Sequence, residues 1–158
     1  MIQEWFDYCL GIPLIGQRIF TFLLNYTSPY TSTIGLTVTK LDCGSCEGHI
    51  TESYTLRNPF NSIHAAALLN LGEAVGGLAV LTLAESRQMR AIVTSLQIEF
   101  HRKARGKISA CARMDASEFP AESGHCAVIT ELTDNVGIVA VVTAQWKVSA
   151  LASTKKIR

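Results

Sequence analysis

NPFNSIHAAALLNLGEAVGGLAVLTLA, residues 58–84, is the stretch whose reading decides the fold. An Asn-Pro turn leads through His64 into a run that is almost wholly apolar, in which Asn70, Glu73 and Thr82 are the polar side chains. A helix that is apolar all round belongs in a core or a membrane. The run nearly reaches the length a bilayer crossing needs. Asn70 and Glu73 lie near its middle, however, and strand-like alternation follows it, so the sequence predicts a buried central helix and no membrane span. Glu73 is its lone carboxylate. An isolated buried charge is costly, so Glu73 requires water, a partner or a chemical task.

On the C-terminal side, after Glu85-Ser86-Arg87, the hydrophobic period changes to two. Ile92, Leu96, Ile98 and Phe100 are expected on one face of a strand, against Val93, Ser95, Gln97 and Glu99. Ile108, Ala110, Ala112 and Met114 form the inner face of the next, and Cys126, Val128, Thr130 and Leu132 that of a third. An Asp134-Asn135-Val136-Gly137 turn leads to a last strand over 138–148, with Trp146 pointing inward. On the N-terminal side, Ile34, Leu36 and Val38 alternate with Thr33, Thr37 and Thr39. A second, Thr-rich strand is expected over 47–56. Cys43-Gly44-Ser45-Cys46 separates the two as a hairpin turn. Ser28-Pro29-Tyr30 breaks an earlier helix, placed at 14–25 by the spacing of Ile15, Ile19, Phe22 and Leu23. The order is therefore helix, two strands, one long apolar helix, then four strands. That is an α+β pattern, and the long helix is covered on most sides only if a curved antiparallel sheet wraps it. The expected division is a helical extension at 1–27, one domain at 28–150 and a frayed tail at 151–158.

Composition narrows the function. At 158 residues the chain suits one domain able to bury a core without disulfides or metals. Fourteen basic against thirteen acidic residues leave a net charge of +1, which excludes bulk electrostatic attraction to nucleic acid or membranes. Anion binding must then come from local clusters, and His101-Arg102-Lys103-Ala104-Arg105-Gly106-Lys107 is the densest one. Five scattered cysteines, an odd number, suggest a reducing compartment, so a cytoplasmic location is expected. The Cys43–Cys46 pair lacks a second pair for zinc and a following helix for redox work, which leaves it as a turn. The first charges are Glu4 and Asp7, unlike a secretory signal.

Asn58, then His64-Ala65-Ala66 six residues on, then Glu73 nine residues after the histidine, resembles the N-x-x-G-x-x-H-G-G…D/E signature of hotdog-fold acyl-CoA thioesterases of the phenylacetyl-CoA type. Pro29-Tyr30, Gly35 and the Ala65-Ala66 pair resemble an uncharacterised branch of that superfamily. The resemblance spans about residues 28–148. It implies a hotdog fold, a curved antiparallel sheet around a long central helix, and a homodimer or dimer of dimers that hydrolyses an acyl thioester. Coenzyme A would enter as part of the substrate, with no separate cofactor and no metal. Three departures stand out: Asn61 where active families often carry Gly, Ala65-Ala66 for the glycine pair, and Gly77 where some branches carry a hydroxyl residue.

Residue types support that chemistry. A helix start carries unpaired N–H groups at the positive end of its dipole, so Ala65 and Ala66 are candidates for an oxyanion site. His64 stands at that junction, as a site residue or simply as a cap. Glu73 is the candidate general base or nucleophile. Nine helical residues turn through about 900°, so His64 and Glu73 face opposite sides of one helix. The resemblance implies a site shared between subunits, and that spacing agrees. Asn58 would orient the carbonyl or water through its amide, or only open the turn. Arg102, Lys103 and Arg105 would hold the coenzyme A phosphates, or form a solvated turn. A non-catalytic acyl-CoA binding protein is the alternative of another class. A dehydratase using His64 as base is a weaker third.

Overall fold

In the structure, a computed structural model, residues 2–12 and 15–151 are described; Leu14 and the tail from 152 onward lie outside them. Helices α1 (Ile2–Leu10), α2 (Gly16–Thr27) and α3 (Pro29–Ser32) open the chain. Strands β1 (Thr37–Asp42) and β2 (Ser45–Thr51) follow, then a single 3-10 turn at Tyr54–Leu56. The central helix α4 (Ala65–Ser86) precedes β3 (Met89–Phe100), β4 (Lys107–Arg113), β5 (Gly124–Thr133) and β6 (Ile138–Ala150). The six strands form one antiparallel sheet in the order β1-β2-β4-β5-β6-β3. α4 packs on every strand of that sheet. This is the α+β hotdog arrangement expected of the sequence.

α4 is long and apolar enough to cross a membrane, but most of it is buried inside the protein. Its entry is capped by His64, whose ring Nδ1 accepts from the Ala66 N–H at 3.1 Å. At the exit Ser86 donates to the Leu83 carbonyl at 2.8 Å, and Gln88 turns the chain at φ +53°. Two glycines set the depth at which the helix lies on the sheet. A Cβ at Gly72 would stand 2.3 Å from Val142 Cγ2, and one at Gly76 would stand 2.7 Å from Thr130 Oγ1. The Thr130 hydroxyl donates to the Gly72 carbonyl at 2.9 Å and holds the approach.

The inward alternation expected for β4, β5 and Trp146 is present, and the hairpin turn expected at Cys43–Cys46 is Cys43-Gly44, with Ser45 and Cys46 already paired in β2. Four expectations need correction. The second strand, expected over 47–56, is β2, which ends at Thr51, and Tyr54–Leu56 is a 3-10 turn. The helix expected at 14–25 is α2, and a second helix, α1, precedes it; Phe6 of α1 packs edge-on against Phe20 of α2 with ring centroids 4.9 Å apart. The first strand starts at Thr37, because Pro29 opens a short helix and Gly35 reverses the chain at φ +64°. In β3 a bulge between Val93 and Ser95 shifts the register, so Ile92 points outward while Leu96, Ile98 and Phe100 lie opposite inward-facing Ala144, Val142 and Ala140.

The sheet's two ends differ. β1 is covered by α2. β3 pairs only with β6, and its other edge runs unpaired for 12 residues among the described chain, with Ile92 and Phe100 exposed.

Candidate functional site

The polar residues of α4 separate structural work from what remains. Thr82 accepts from the Gly44 N–H at 2.9 Å and donates to the Ala79 carbonyl at 2.8 Å, fastening the helix to the β1–β2 turn. Asn70 Nδ2 reaches the Tyr30 carbonyl at 3.5 Å. Glu73 has no hydrogen bond or ion pair among the described residues. It is half-buried, and burial pushes its carboxyl pKa up. Its Oε1 lies beside Gly77, where Trp146 presses from the other side: a Cβ at Gly77 would stand 3.3 Å from Trp146 Cη2 and 3.7 Å from Glu73 Oε1. Trp146 Nε1 is itself buried without a partner. Glu73 and Trp146 line one cleft of about 250 Å³ between α4, β6 and the N-terminal helices.

Asn58, Ala65, Arg102 and Lys103 meet in a different cleft of about 320 Å³, together with Phe100 and His101. What joins them is the entry to α4. The Ile63 N–H donates to the Ala104 carbonyl at 3.0 Å, which ties the basic segment between β3 and β4 to the residue before His64. The Ala65 N–H has no partner among the described residues, while that of Ala66 is taken by His64. Ala66 and His64 line a third cleft with Tyr30 and Asn70. Within one subunit the helix start and Glu73 therefore open into separate clefts.

Asn58 organises its own turn. Its Oδ1 accepts from the Phe60 N–H at 3.0 Å and the Ser62 N–H at 3.1 Å, and its Nδ2 donates to Ser62 Oγ at 3.0 Å. Asn61 sits at φ +58°, the left-handed region, which glycine adopts freely and Asn tolerates.

The three basic residues are not equivalent. Arg102 donates through Nε to the Ile138 carbonyl at 3.1 Å and through Nη2 to the Gly137 carbonyl at 2.8 Å and to Asp134, an arrangement that grips the β5–β6 turn. Only its Nη1 donors remain uncommitted. Lys103 is exposed on the rim of the Ala65 cleft. Arg105, also exposed, stands near Glu52, whose carboxylate is held by the Gly106 N–H at 2.7 Å and by Arg57. Among the described residues no His, Cys, Asp and Glu side chains gather as a metal-ligand group.

Trp146 is the site residue that sequence reasoning missed as such. Its inward register is readable, but which turn of α4 it meets depends on the curvature of the sheet.

No curated protein matches the sequence. Many solved structures match the fold. A Pseudomonas aeruginosa protein of unknown function, described as a "probable thioesterase", is 25% identical, with a TM-score of 0.74, over 89% of this chain and 97% of its own. A thioesterase from Haemophilus influenzae is 19% identical, with a TM-score of 0.66, over 84% of this chain and 92% of its own. A mutant of the phenylacetic acid degradation protein PaaI from Thermus thermophilus is 18% identical, with a TM-score of 0.65, over 78% of this chain and 99% of its own. At such identities the last two show the fold alone. Residues 16–148 match the family described as "Domain of unknown function (DUF4442)", and the chain belongs to that family.

Proposed function

We propose that the protein is an acyl-CoA thioesterase that works as a homodimer, with Glu73 as general base. The observation that carries this is Glu73 itself. It is the carboxylate in the middle of α4, it lies beside Gly77 with Trp146 close by, it has no partner among the described residues, and burial raises its pKa, the direction useful for a base near neutral pH. The likeness to the Pseudomonas protein supports the same reaction class.

The Ala65 N–H donates to the thioester carbonyl oxygen at the positive end of the helix. Glu73 of the partner subunit takes a proton from water, and the oxygen attacks the carbonyl carbon. The tetrahedral oxyanion, held by Ala65, collapses as the C–S bond breaks. The leaving thiolate takes that proton from Glu73, which restores the carboxylate, and the acyl group departs as a carboxylic acid. Pairing across the free β3 edges supplies the second subunit, since a long, partly apolar edge invites strand pairing. Lys103 and Arg105, with the spare Nη1 donors of Arg102, hold the coenzyme A phosphates.

One observation favours binding without turnover: the Asn58 amide is spent inside its own turn and does not orient a nucleophile. Thiol release from a panel of acyl-CoAs, with sedimentation on the same samples, separates the readings. Hydrolysis by a dimer is expected. An active monomer at micromolar concentration would remove the shared site, and a dimer that binds acyl-CoA without releasing thiol would establish the binder.

A further inference from the structure

The cleft that holds Glu73 is closed on one side by elements outside the sheet. Ile2 of α1 and Leu24 of α2 form its wall, facing Gly77 and Leu81 of α4, and Trp146 forms its floor. Glu73, Gly77, Leu81 and Glu85 recur at intervals of four, so they lie along one stripe of the helix. The stripe ends in an anchor: the Ile2 N–H donates to Glu85 Oε2 at 2.8 Å. The Phe6–Phe20 contact locks α1 to α2 behind that anchor. The wall is therefore held on α4 itself, and its distance from the carboxylate is fixed by the helix, about 12 Å from Glu73 to Leu81 at 1.5 Å per residue.

We infer that the N-terminal helices act as a ruler for the acyl chain, making the protein selective for medium-length apolar acyl groups. This rests on the hydrolase reading for what Glu73 does, but the binding itself does not. At ~30 Å³ for each water-sized group, a cleft of about 250 Å³ takes roughly eight non-hydrogen atoms. Apart from Glu73 and the hydroxyls of Thr27, Ser28 and Thr31, its lining is apolar, which suits a hydrocarbon. The acyl chain extends from Glu73 towards Leu81 and stops where Ile2 and Leu24 close the end.

The test uses the Glu73→Gln protein, which holds substrate without consuming it, in a Trp5→Phe background that leaves Trp146 as the only indole. Trp146 emission is followed while acetyl-, octanoyl- and dodecanoyl-CoA are titrated. Octanoyl-CoA is expected to bind at least tenfold more tightly than either of the others. Leu24→Ala should move the preference to dodecanoyl-CoA, and Gly77→Ala, which narrows the cleft beside Trp146, should weaken octanoyl binding most. Leu24→Val provides a milder opening if the alanine protein is poorly folded. Equal affinity across the three lengths, or folded Leu24 variants with an unchanged order, would overturn the ruler. If the order appears but the wild type releases no thiol, the ruler stands and the hydrolase reading falls. If thiol is released with no length preference, the reverse holds.

Discussion

Replacing Gly72 with alanine tests the packing that places Glu73, the next residue along the helix. The new Cβ would stand 2.3 Å from Val142 Cγ2, 2.6 Å from its Cβ and 3.1 Å from Cγ1. Carbon atoms rest at ~3.5–4.0 Å, so the worst contact is short by more than an ångström. Val142 cannot step aside easily: it is fully buried in β6 between Thr130 of β5 and Ile98 of β3. The helix cannot retreat without losing the bond from Thr130 to the Gly72 carbonyl. Over-packing of this kind costs ~1–3 kcal/mol, and three short contacts place it at the upper end. Against that, alanine gains ~0.8–1 kcal/mol of helix propensity over glycine. The net loss is about 2 kcal/mol. For a chain of this size that lowers Tm by roughly 4–8 °C. Thermal and urea unfolding of Gly72→Ala, Val142→Ala and the double variant form the assay. The two changes should be non-additive by about 1 kcal/mol or more, because removing the valine methyls makes room for the new one. A Gly72→Ala protein melting within a degree of wild type, or strictly additive losses, would refute the close approach of α4 to β6.

Two further outcomes follow from the site. Because burial raises the Glu73 pKa, the folded state holds that proton at pH values where the unfolded chain has lost it, so ionisation costs stability as pH rises through the window between the two. Glu73→Gln should therefore gain in Tm relative to wild type above the raised pKa, and the gain should fade below about pH 4, near the unfolded value; a difference independent of pH would contradict an unpaired carboxylate. Arg102 and Lys103 should behave differently: Arg102→Ala lowers Tm by releasing the β5–β6 turn, whereas Lys103→Ala leaves Tm unchanged, raises KM for acyl-CoA and has little effect on acyl-pantetheine. Equal KM effects of Lys103→Ala on both substrates would place the lysine elsewhere.

Much of this arrangement is legible in the sequence because it depends on local pattern. The helix α4 follows from the length of an unbroken apolar run, and the alternation in β4 and β5 and the inward Trp146 follow from a period of 2. What escaped depends on contacts between distant residues. The bulge near Thr94 reverses the faces of β3 with no glycine or proline to announce it. The turn at Gly35 imitates the start of a strand, since Ile34 and Leu36 on either side of it are buried as they would be in one. Arg102 reads as a free cation until the β5–β6 turn is folded back against it, and Asn58 as a free amide until Ser62 closes its turn. The distinction between Ala65 and Ala66 rests on one hydrogen bond from the His64 ring. The unpaired state of Glu73 is likewise a tertiary fact: the sequence shows a carboxylate in an apolar helix, and only the fold shows that no described residue pairs with it.

The most direct measurement is thioester hydrolysis by Glu73→Gln beside acyl-CoA binding by the same protein. The substitution keeps shape and removes charge and basicity. Turnover should fall by ~10²-fold or more, the scale for losing a positioned acid–base group, while affinity for acyl-CoA persists because Ala65 and Lys103 are untouched. A well-folded Glu73→Gln protein that hydrolyses acyl-CoA at the wild-type rate would contradict the assignment of Glu73 as the base.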